Sequence, residues 1–271
     1  MKQAKISTFI CILCIISLFC SFSTYGAGTY SNYISSVLDT LSENNQSSNS
    51  AIQQQVNGVY RMAQLLEVMA NEYDTTNGMY SSYASSVMDT LSEQNGRCSS
   101  APQQLTNGFY RCVELLEIIC YEVDPDGIYR NYVEGVMDTW KTNDANSENT
   151  NQQAVNGAYR MVQLLEATAY SLDKKNSYSD SINYIMDNFQ EINGRCESIY
   201  QQLQNGTDTI VFLLKIIANE VDGSGIYASL SDSLVNDFLN ADNENSAPKA
   251  TVNGLYTGVQ LLAVITLANY K

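Results

Sequence analysis

Apolar residues recur along the chain at helical spacing, and one eleven-residue stretch shows the pattern most clearly. This stretch, Asn57–Glu67 (NGVYRMAQLLE), returns in related form from Asn107, Asn156, Asn205 and Asn253. The five starts are separated by 50, 49, 49 and 48 residues. A fixed period of this size is the signature of a repeat architecture. The chain is therefore predicted to be one tandem array of five repeats.

Each repeat contains two helical patterns. In the first repeat, the first helix begins at Tyr30 and continues with Ile34, Val37 and Leu41, in steps of 4, 3 and 4. This spacing places the four side chains on one face of a helix. The second helix contains the Asn-Gly pair and carries a wider apolar stripe. We therefore expect the second helices to form the spine of the array.

Two prolines locate the start of the second helix. Pro102 and Pro248 each lie five residues before an Asn-Gly pair, and proline is favoured at the first helical position, where its missing N–H is not needed. The glycine then falls inside the helix, where it costs about 1 kcal/mol relative to alanine. Close approach of a neighbouring helix would offset that cost. The alternative is that the asparagine is itself the N-cap of the helix. The five glycines are Gly58, Gly108, Gly157, Gly206 and Gly254.

Short turns join the repeats, and each ends at a residue that tolerates the left-handed backbone conformation. These residues are Gly78, Gly127, Asn176 and Gly225. Short links make consecutive helices antiparallel. The predicted fold class is all-α: a tandem array of five helical hairpins, about ten helices in all, in repeats of about 49 residues. Such arrays can wind into a superhelix, and we expect this one to be open rather than closed.

Residues 1–26 stand apart from the array. Lys2 and Lys5 precede an apolar run from Phe9 to Cys20, and small residues follow up to Gly26. These are features of a secretory signal peptide, and the run is short for an uncleaved membrane anchor. We therefore expect a secreted, extracellular protein with no membrane span after removal of the signal. The expected divisions are a signal peptide at 1–26 and repeats at 27–78, 79–127, 128–176, 177–225 and 226–271.

The last repeat allows a second interpretation. Residues 250–270 carry no charge, as expected for the hydrophobic tail of a lipid-attachment signal. The same segment aligns with the second helix of every other repeat, which favours a core helix.

Charge and composition exclude several functions. The chain has 14 basic and 29 acidic residues and no histidine. Its net charge is −15, or −17 once Lys2 and Lys5 leave with the signal peptide. Nucleic-acid binders need a basic face, so no nucleic-acid partner is expected. The absence of histidine removes the commonest general base and zinc ligand. We expect no enzyme activity, no cofactor and no metal site.

Four cysteines remain after the signal peptide. Cys112 and Cys120 align with core positions of other repeats, so we expect buried thiols. Cys98 and Cys196 follow Asn-Gly-Arg in loops of the second and fourth repeats. In an open array these loops are farther apart than the ~7 Å between Cα atoms that a disulfide allows. We therefore expect these two cysteines to form intermolecular disulfides.

Other recurring residues have both structural and functional interpretations. Glycosylation sequons begin at Asn45, in the expected polar loop 43–50, and at Asn205. Asp124 and Asp126 are explained by turn chemistry better than by calcium, because an EF-hand needs more ligands. Recurring tyrosines suit packing or, alternatively, oxidative cross-linking. Aspartates of the first helices and arginines of the second predict interhelical ion pairs: Asp39, Asp89, Asp138 and Asp187 with Arg61, Arg111 and Arg160.

Two functions fit this sequence. The first is a secreted, non-enzymatic structural or assembly protein, such as a matrix, coat, glue or silk-like component, which associates with itself or with other extracellular proteins. The composition is similar to that of silk-type proteins, although no diagnostic motif is shared. The alternative is a secreted carrier that encloses a lipid or another small hydrophobic ligand between apolar helix faces.

Overall fold

The computed structural model describes residues 30–74, 78–144, 147, 149–223, 225–242 and 246–269. The signal peptide predicted at residues 1–26 lies outside these ranges. Within them the chain forms ten helices and no strand, which confirms the all-α prediction. The helices are α1 (Ser31–Ser47), α2 (Ala51–Tyr73), α3 (Met79–Arg97), α4 (Ala101–Val123), α5 (Arg130–Thr139), α6 (Thr150–Leu172), α7 (Ser179–Arg195), α8 (Ile199–Val221), α9 (Ala228–Asp242) and α10 (Ala247–Asn269). After α5 the chain continues as a π-helical segment, Trp140–Asp144.

The even-numbered helices lie inside and the odd-numbered helices lie outside. Burial separates them clearly: α1 buries three residues, whereas α2 buries eleven. The wider apolar stripe of the second helix in each repeat explains this difference, because an inner helix contacts two inner neighbours as well as its outer partner. Pro102 lies in the first turn of α4, as the sequence predicted, so the Asn-Gly pair is inside the helix.

The inner helices form a closed ring. Each of α2, α4, α6 and α8 packs against the next inner helix, and α10 packs back against α2. At this closing contact the Gln55 side-chain amide donates to the Pro248 carbonyl at 2.9 Å. Farther along, the Asn269 amide donates to the Tyr73 hydroxyl at 2.7 Å. The expectation of an open array is therefore wrong. An open array would leave an apolar face of both α2 and α10 in water, and closure buries both.

The five helix glycines lie at the contacts between inner helices. A Cβ atom on Gly58 would be 2.9 Å from the Cβ atom of Leu255, the residue that follows the glycine of α10. The pattern repeats around the ring: in each inner helix, the residue after the glycine contacts the glycine of the next inner helix. The contacting atoms are Val59 Cγ1 at Gly108 (2.0 Å), Phe109 Cβ at Gly157 (2.8 Å), Ala158 Cβ at Gly206 (3.3 Å) and Thr207 Oγ1 at Gly254 (3.1 Å). Close helix approach therefore accounts for the glycines.

Aspartate carboxylates stabilise the turns between hairpins by accepting hydrogen bonds from backbone N–H groups. The Asp124 carboxylate accepts hydrogen bonds from the backbone N–H groups of Ile128 and Tyr129, at 3.0 and 2.7 Å. This is the turn chemistry that the sequence predicted. Asp74, Asp173 and Asp222 accept in the same way from Ser81, Tyr178 and Tyr227. The predicted left-handed residues are confirmed, with φ of 87° at Gly78, 70° at Gly127, 53° at Asn176 and 68° at Gly225.

The outer helices extend beyond their predicted ends. Helix α1 continues to Ser47, so Asn45 lies in its last turn rather than in a loop at 43–50. Helix α3 likewise continues to Arg97, which pairs with Glu93 one turn earlier. A basic residue in the last turn is favourable both in an i,i+4 pair and with the helix dipole. The polar segments after the first helices were predicted to be loops, but their first residues are the exposed ends of those helices.

Candidate ligand-binding groove

In the part of the chain that the structure describes, cavities lie between successive outer helices with an inner helix as the floor, and two of them are considered in turn. The first, which we call the polar groove, lies between α5 and α7 over α6 and has a volume of about 410 Å³. The second, which we call the apolar groove, lies between α7 and α9 over α8 and has a volume of about 650 Å³. The two grooves are adjacent in the ring, since α7 forms a wall of both.

Polar side chains of α6 occupy the polar groove. Arg160, Gln163 and Glu166 follow one another at intervals of three residues, and the Arg160 guanidinium donates to the Gln163 amide oxygen. The Tyr132 hydroxyl of α5 donates to the Glu166 carboxylate at 2.7 Å. Burial raises the pKa of Glu166, and the hydrogen bond from Tyr132 partly opposes this change. The groove is therefore lined by polar side chains that bond one another.

The same ladder recurs on α2 and α4. Arg111 forms an ion pair with Glu114 of its own helix at 2.6 Å, and the two side chains are only 13% and 16% exposed. Arg61 donates to Gln64 in the equivalent place. The interhelical pairs predicted for these two arginines, with Asp39 or Asp89, are therefore wrong. Residues three apart on one helix are immediate neighbours, so the arginines reach partners on their own helix.

Burial also acts on the carboxylates of these two ladders. It raises the pKa of Glu67, and the nearby charge of Asp89 adds to the effect. Burial raises the pKa of Glu114 and of Glu117 as well, with Lys141 opposing the shift at both. The ladders thus place several partly desolvated acids on the outer faces of the inner helices.

Helix α8 departs from this pattern at four positions. Asp208 and Thr209 have smaller side chains than their counterparts, and Phe212 presents a ring where α6 has an amide. Lys215 instead pairs with Asp232 of α9 at 2.7 Å. The counterparts of Asp208, Thr209, Phe212 and Lys215 on α6 are Tyr159, Arg160, Gln163 and Glu166. The smaller side chains leave space, and Phe212 adds an apolar ring to a floor that is otherwise polar; together with the apolar walls from α7 and α9 this gives the apolar groove.

The apolar groove is an elongated channel with different ends. Along its floor it extends from Gln201 to Phe212, roughly 16 Å at the helical rise per residue. Arg195 and Cys196 lie at the Gln201 end, where α7 turns into α8. Toward the middle of the helices the walls become aromatic and aliphatic. The apolar lining residues are Tyr184, Ile185, Phe189, Ile192, Phe212, Phe238 and Leu239.

Several of these apolar side chains face solvent at the mouth of the groove. Tyr184 is 69% exposed, Ile192 is 48% exposed and Leu239 is 44% exposed. Covering apolar surface of this kind is favourable by a free energy of about 25 cal/mol per Å² buried. The apolar groove therefore combines a recessed floor with an exposed apolar rim.

Two polar residues of the floor are held by the protein itself. The Asn205 amide donates to the Phe189 carbonyl at 2.9 Å, and the Thr209 hydroxyl donates to the Asn205 carbonyl at 2.8 Å. Asn205 is only 5% exposed. The glycosylation site predicted there does not fit the folded chain, because its acceptor nitrogen is buried and already donates a hydrogen bond. Asn45 is half-buried in α1 and remains a predicted glycosylation site.

Two of the four cysteines are buried as predicted, whereas Cys98 and Cys196, predicted in exposed loops, lie half-buried at the C-caps of α3 and α7. Cys112 and Cys120 are buried in α4, and burial raises the pKa of both thiols, that of Cys120 to about 12. Cys98 and Cys196 are half-buried and free. Cys98 lines a third cavity, of about 360 Å³, and Cys196 lines the apolar groove. Burial raises the pKa of these two thiols as well. Ring closure has not joined Cys98 to Cys196.

Two further features bear on function. Among the described residues, no group of three or more histidine, cysteine, aspartate or glutamate side chains is placed to hold a metal ion. Of the helices in those ranges, α10 alone is long and apolar enough to cross a membrane. In this fold, 78% of its apolar window is buried, because α10 packs between α8 and α2.

Comparison with known proteins found no relative. No family model, no curated protein and no solved structure matches the chain.

Sequence reasoning did not find the apolar groove. The signal was present, since Thr209 interrupts the series of arginines and Asp208 interrupts the series of tyrosines. That the missing side chains would leave a cavity depends on how far apart α7 and α9 lie, which a single repeat does not encode.

Proposed function

We propose that this protein is a secreted carrier that binds a small hydrophobic ligand in the apolar groove. The observation that carries the proposal is the groove itself: about 650 Å³, with apolar side chains on its α7 and α9 walls and with Phe212 on a floor that is otherwise polar. Pockets for small ligands typically have volumes of 300–1,000 Å³ and are lined by apolar and aromatic side chains with a few polar groups. The apolar groove agrees with this description in size and in lining.

Comparison of the grooves within the chain supports the proposal. In the polar groove, tyrosine, arginine, glutamine and glutamate line a smaller space of about 410 Å³ and bond one another. In the apolar groove Asp208 and Thr209 are smaller than their counterparts and Phe212 is apolar, and the rim exposes Tyr184, Ile192 and Leu239. Exposed apolar side chains around a recessed floor are a common mark of a binding site. A hydrophobic ligand would cover this surface.

Secretion and the absence of catalysis belong to the same proposal. Secretion rests on the basic and apolar pattern of residues 1–26. The non-enzymatic assignment rests on the absence of histidine from the whole sequence, together with the satisfied hydrogen bonds of Asn205 and Thr209 in the groove floor.

A groove-filling variant tests the function. In Thr209→Arg/Phe212→Gln, α8 receives the side chains of α6, which should fill the groove. The matched control is Gln163→Glu, which gives the polar groove the acid that α4 carries and leaves the apolar groove unchanged. Binding of the neutral dye N-phenyl-naphthylamine is measured by its fluorescence, and circular dichroism checks the fold of each protein.

We expect the unaltered protein and the control to bind one dye molecule with equal affinity. The groove-filling variant should bind at least about tenfold more weakly, because the dye loses most of its apolar contact. Absence of dye binding by the unaltered protein, or equal binding by the folded groove-filling variant, would contradict the proposal.

A second candidate function is assembly of chains through disulfides. It is favoured by the two free, half-buried thiols of Cys98 and Cys196 at the ends of outer helices α3 and α7. End-to-end stacking of chains through their terminal hairpins does not fit the closed ring, because α2 and α10 already cover each other's inner faces. Under this candidate, partner chains would be copies of this protein or other extracellular proteins.

A further inference from the structure

We propose that the ligand of the apolar groove is a neutral amphiphile, with an uncharged carbonyl head at Gln201 and an apolar chain along Phe212 and Phe238. This inference rests on the proposed carrier function and adds the chemical class of the ligand and its orientation. It starts from the difference between the two ends of the groove. Gln201 and Arg195 lie at one end, and Phe212 and Phe238 lie toward the other.

The side chain of Gln201 is oriented by the start of α8. Its amide oxygen accepts hydrogen bonds from the backbone N–H of Glu197 at 2.8 Å and from the Ser198 hydroxyl at 3.4 Å. A glutamine three residues after a serine N-cap commonly bonds backward in this way. Because the oxygen is occupied, the side chain offers the two N–H donors of its amide group to a ligand. This end of the groove therefore suits a carbonyl oxygen.

Arg195 adds donors to the same end without adding net charge. Its guanidinium pairs with Glu191, one turn earlier on α7, and both side chains are exposed. A guanidinium carries five N–H donors, so it can also donate to a neutral acceptor. A carboxylate ligand would compete with Glu191 for the charge of Arg195, and the protein's net charge of −15 would repel it. The head is therefore an acceptor but not an anion.

A cationic head does not fit the groove either. Asp208 is the one acidic residue of the lining, and it already has a partner within the protein. Its Oδ1 atom is buried and would lie 3.5 Å from a Cβ atom on Gly254 of α10. An amine would therefore bring N–H donors to an end that already consists of donors. Burial of a charge without a partner is costly, so the groove favours an uncharged head.

The other part of the groove suits an apolar chain. Phe212 and Phe238 contact edge to face, with ring centroids 6.2 Å apart, and Ile185 and Leu239 line the same space. A chain lying here would cover apolar surface that now faces water, which is favourable in proportion to the area covered. Gln201 is exposed, so the same orientation keeps the polar head close to solvent.

Three ligands that share one chain test the class of the head: methyl decanoate, decanoic acid and decylamine. Each is titrated at pH 7 against the full folded protein loaded with N-phenyl-naphthylamine, and its affinity is obtained from the loss of dye fluorescence. The ester should bind at least about tenfold more tightly than the acid or the amine, because each charged head loses hydration without gaining a partner. Equal or tighter binding of either charged ligand would overturn the neutral assignment and leave the carrier function standing.

Gln201→Glu tests the position of the head. Glutamate keeps an oxygen for the Glu197 N–H and is favourable in the first turn of a helix, but it replaces the N–H donors by an acceptor. The affinity for the ester should fall about tenfold, through loss of a hydrogen bond and an unpaired carbonyl. The dye has no carbonyl group and should keep its affinity.

Gln103→Glu is the matched control. The Gln103 amide oxygen accepts from the backbone N–H of Ser99 at 2.9 Å, in the equivalent place at the start of α4. Gln103 lines the third cavity and not the apolar groove, so this variant adds the same charge without changing the site. The ester should bind it as it binds the unaltered protein.

The remaining outcomes separate this inference from the carrier function. Loss of ester affinity in both variants, or in neither, would overturn the placement of the head at Gln201. Failure of the ester to displace a bound dye would overturn the inference alone, because dye binding tests the carrier function by itself. Absence of dye binding would overturn both.

Discussion

Gly58→Ala tests the closing contact of the ring directly. The new Cβ atom would lie 2.9 Å from Leu255 Cβ and 3.3 Å from Tyr256 Cδ1. The Leu255 atom is the first carbon of its side chain, so it cannot rotate away, and the backbones of α2 and α10 must separate. Overpacking of this kind costs about 1–3 kcal/mol. Against it, alanine is favoured over glycine in a helix by about 1 kcal/mol.

Gly135→Ala supplies the matched control. Gly135 is exposed inside α5, and a Cβ atom there would meet no atom within 4 Å beyond the adjoining backbone of its own helix. This variant should gain about 1 kcal/mol from helix propensity alone. Because both substitutions have the same propensity term, the difference between their free energies of unfolding isolates the overpacking at the ring contact. We expect Gly58→Ala to be about 1–3 kcal/mol less stable than Gly135→Ala.

The free energies are measured by urea unfolding followed by circular dichroism, with the parent protein alongside. In thermal unfolding the two variants should differ by about 2–4 °C for each kcal/mol in a protein of this size. In an open array Gly58 would face solvent at the first hairpin, and alanine would stabilise it as it stabilises Gly135. Equal stabilisation by the two substitutions would therefore refute ring closure at α2 and α10.

Three further predictions concern stability, pH and oxidation. Gly157→Leu should lower the free energy of unfolding by about 3 kcal/mol or more, because Phe109 Cβ already lies within 2.8 Å of the new Cβ position; a rise in thermal stability would contradict the packing. Burial raises the pKa of Glu67 in the folded state above its ordinary 4.5, so the folded protein binds more protons and stability should rise as the pH falls from 7 toward about 5. Glu67→Gln should flatten this dependence in urea titrations, and an unchanged slope would refute the assignment. On non-reducing gels of secreted protein, intermolecular disulfides should give multimers that disappear in Cys98→Ser/Cys196→Ser; a monomer containing a Cys98–Cys196 peptide would rule out this assembly.

The helices could be predicted from the sequence because their cause is local. The steps from Tyr30 to Leu41 and the proline at residue 102 define a helix face and a helix start within a few turns of chain. The glycines were informative for a related reason. Glycine weakens a helix, yet it recurs at one position of the second helix in every repeat, beginning with Gly58. Its recurrence indicates that a neighbouring helix lies in close contact at that position.

Ring closure could not be predicted in the same way. It depends on the angle between successive hairpins, which is set by pairs such as Leu255 on Gly58 and Val59 on Gly108. These pairs join residues in different repeats, and periodicity within one repeat does not report the angle. The prediction of a glycosylation site at Asn205 was wrong for a similar reason. The three residues of the sequon do not reveal that the side-chain amide of Asn205 is buried under α7.

The apolar groove forms because α8 lacks the tyrosine and arginine side chains of the first three repeats, and sequence patterns describe missing side chains poorly. Arg160 and Tyr159 attract attention because they repeat, whereas Thr209 and Asp208 are noticed only as interruptions. That these two residues leave a cavity becomes clear only from the space between α7 and α9 over α8.

The closed ring has a consequence for the order in which the molecule comes apart. A linear stack of hairpins has two terminal units, each held by one neighbour, and these can fray while the middle stays folded. Here the first and last hairpins hold each other through Gln55 and Pro248, so every hairpin has two neighbours and none is terminal. Loss of any one hairpin breaks two interfaces at once. We therefore expect amide protons of all five inner helices to exchange in a single cooperative event, and we expect the number of hairpins to be fixed by geometry, because inserting or deleting one would require every remaining interface to change its angle.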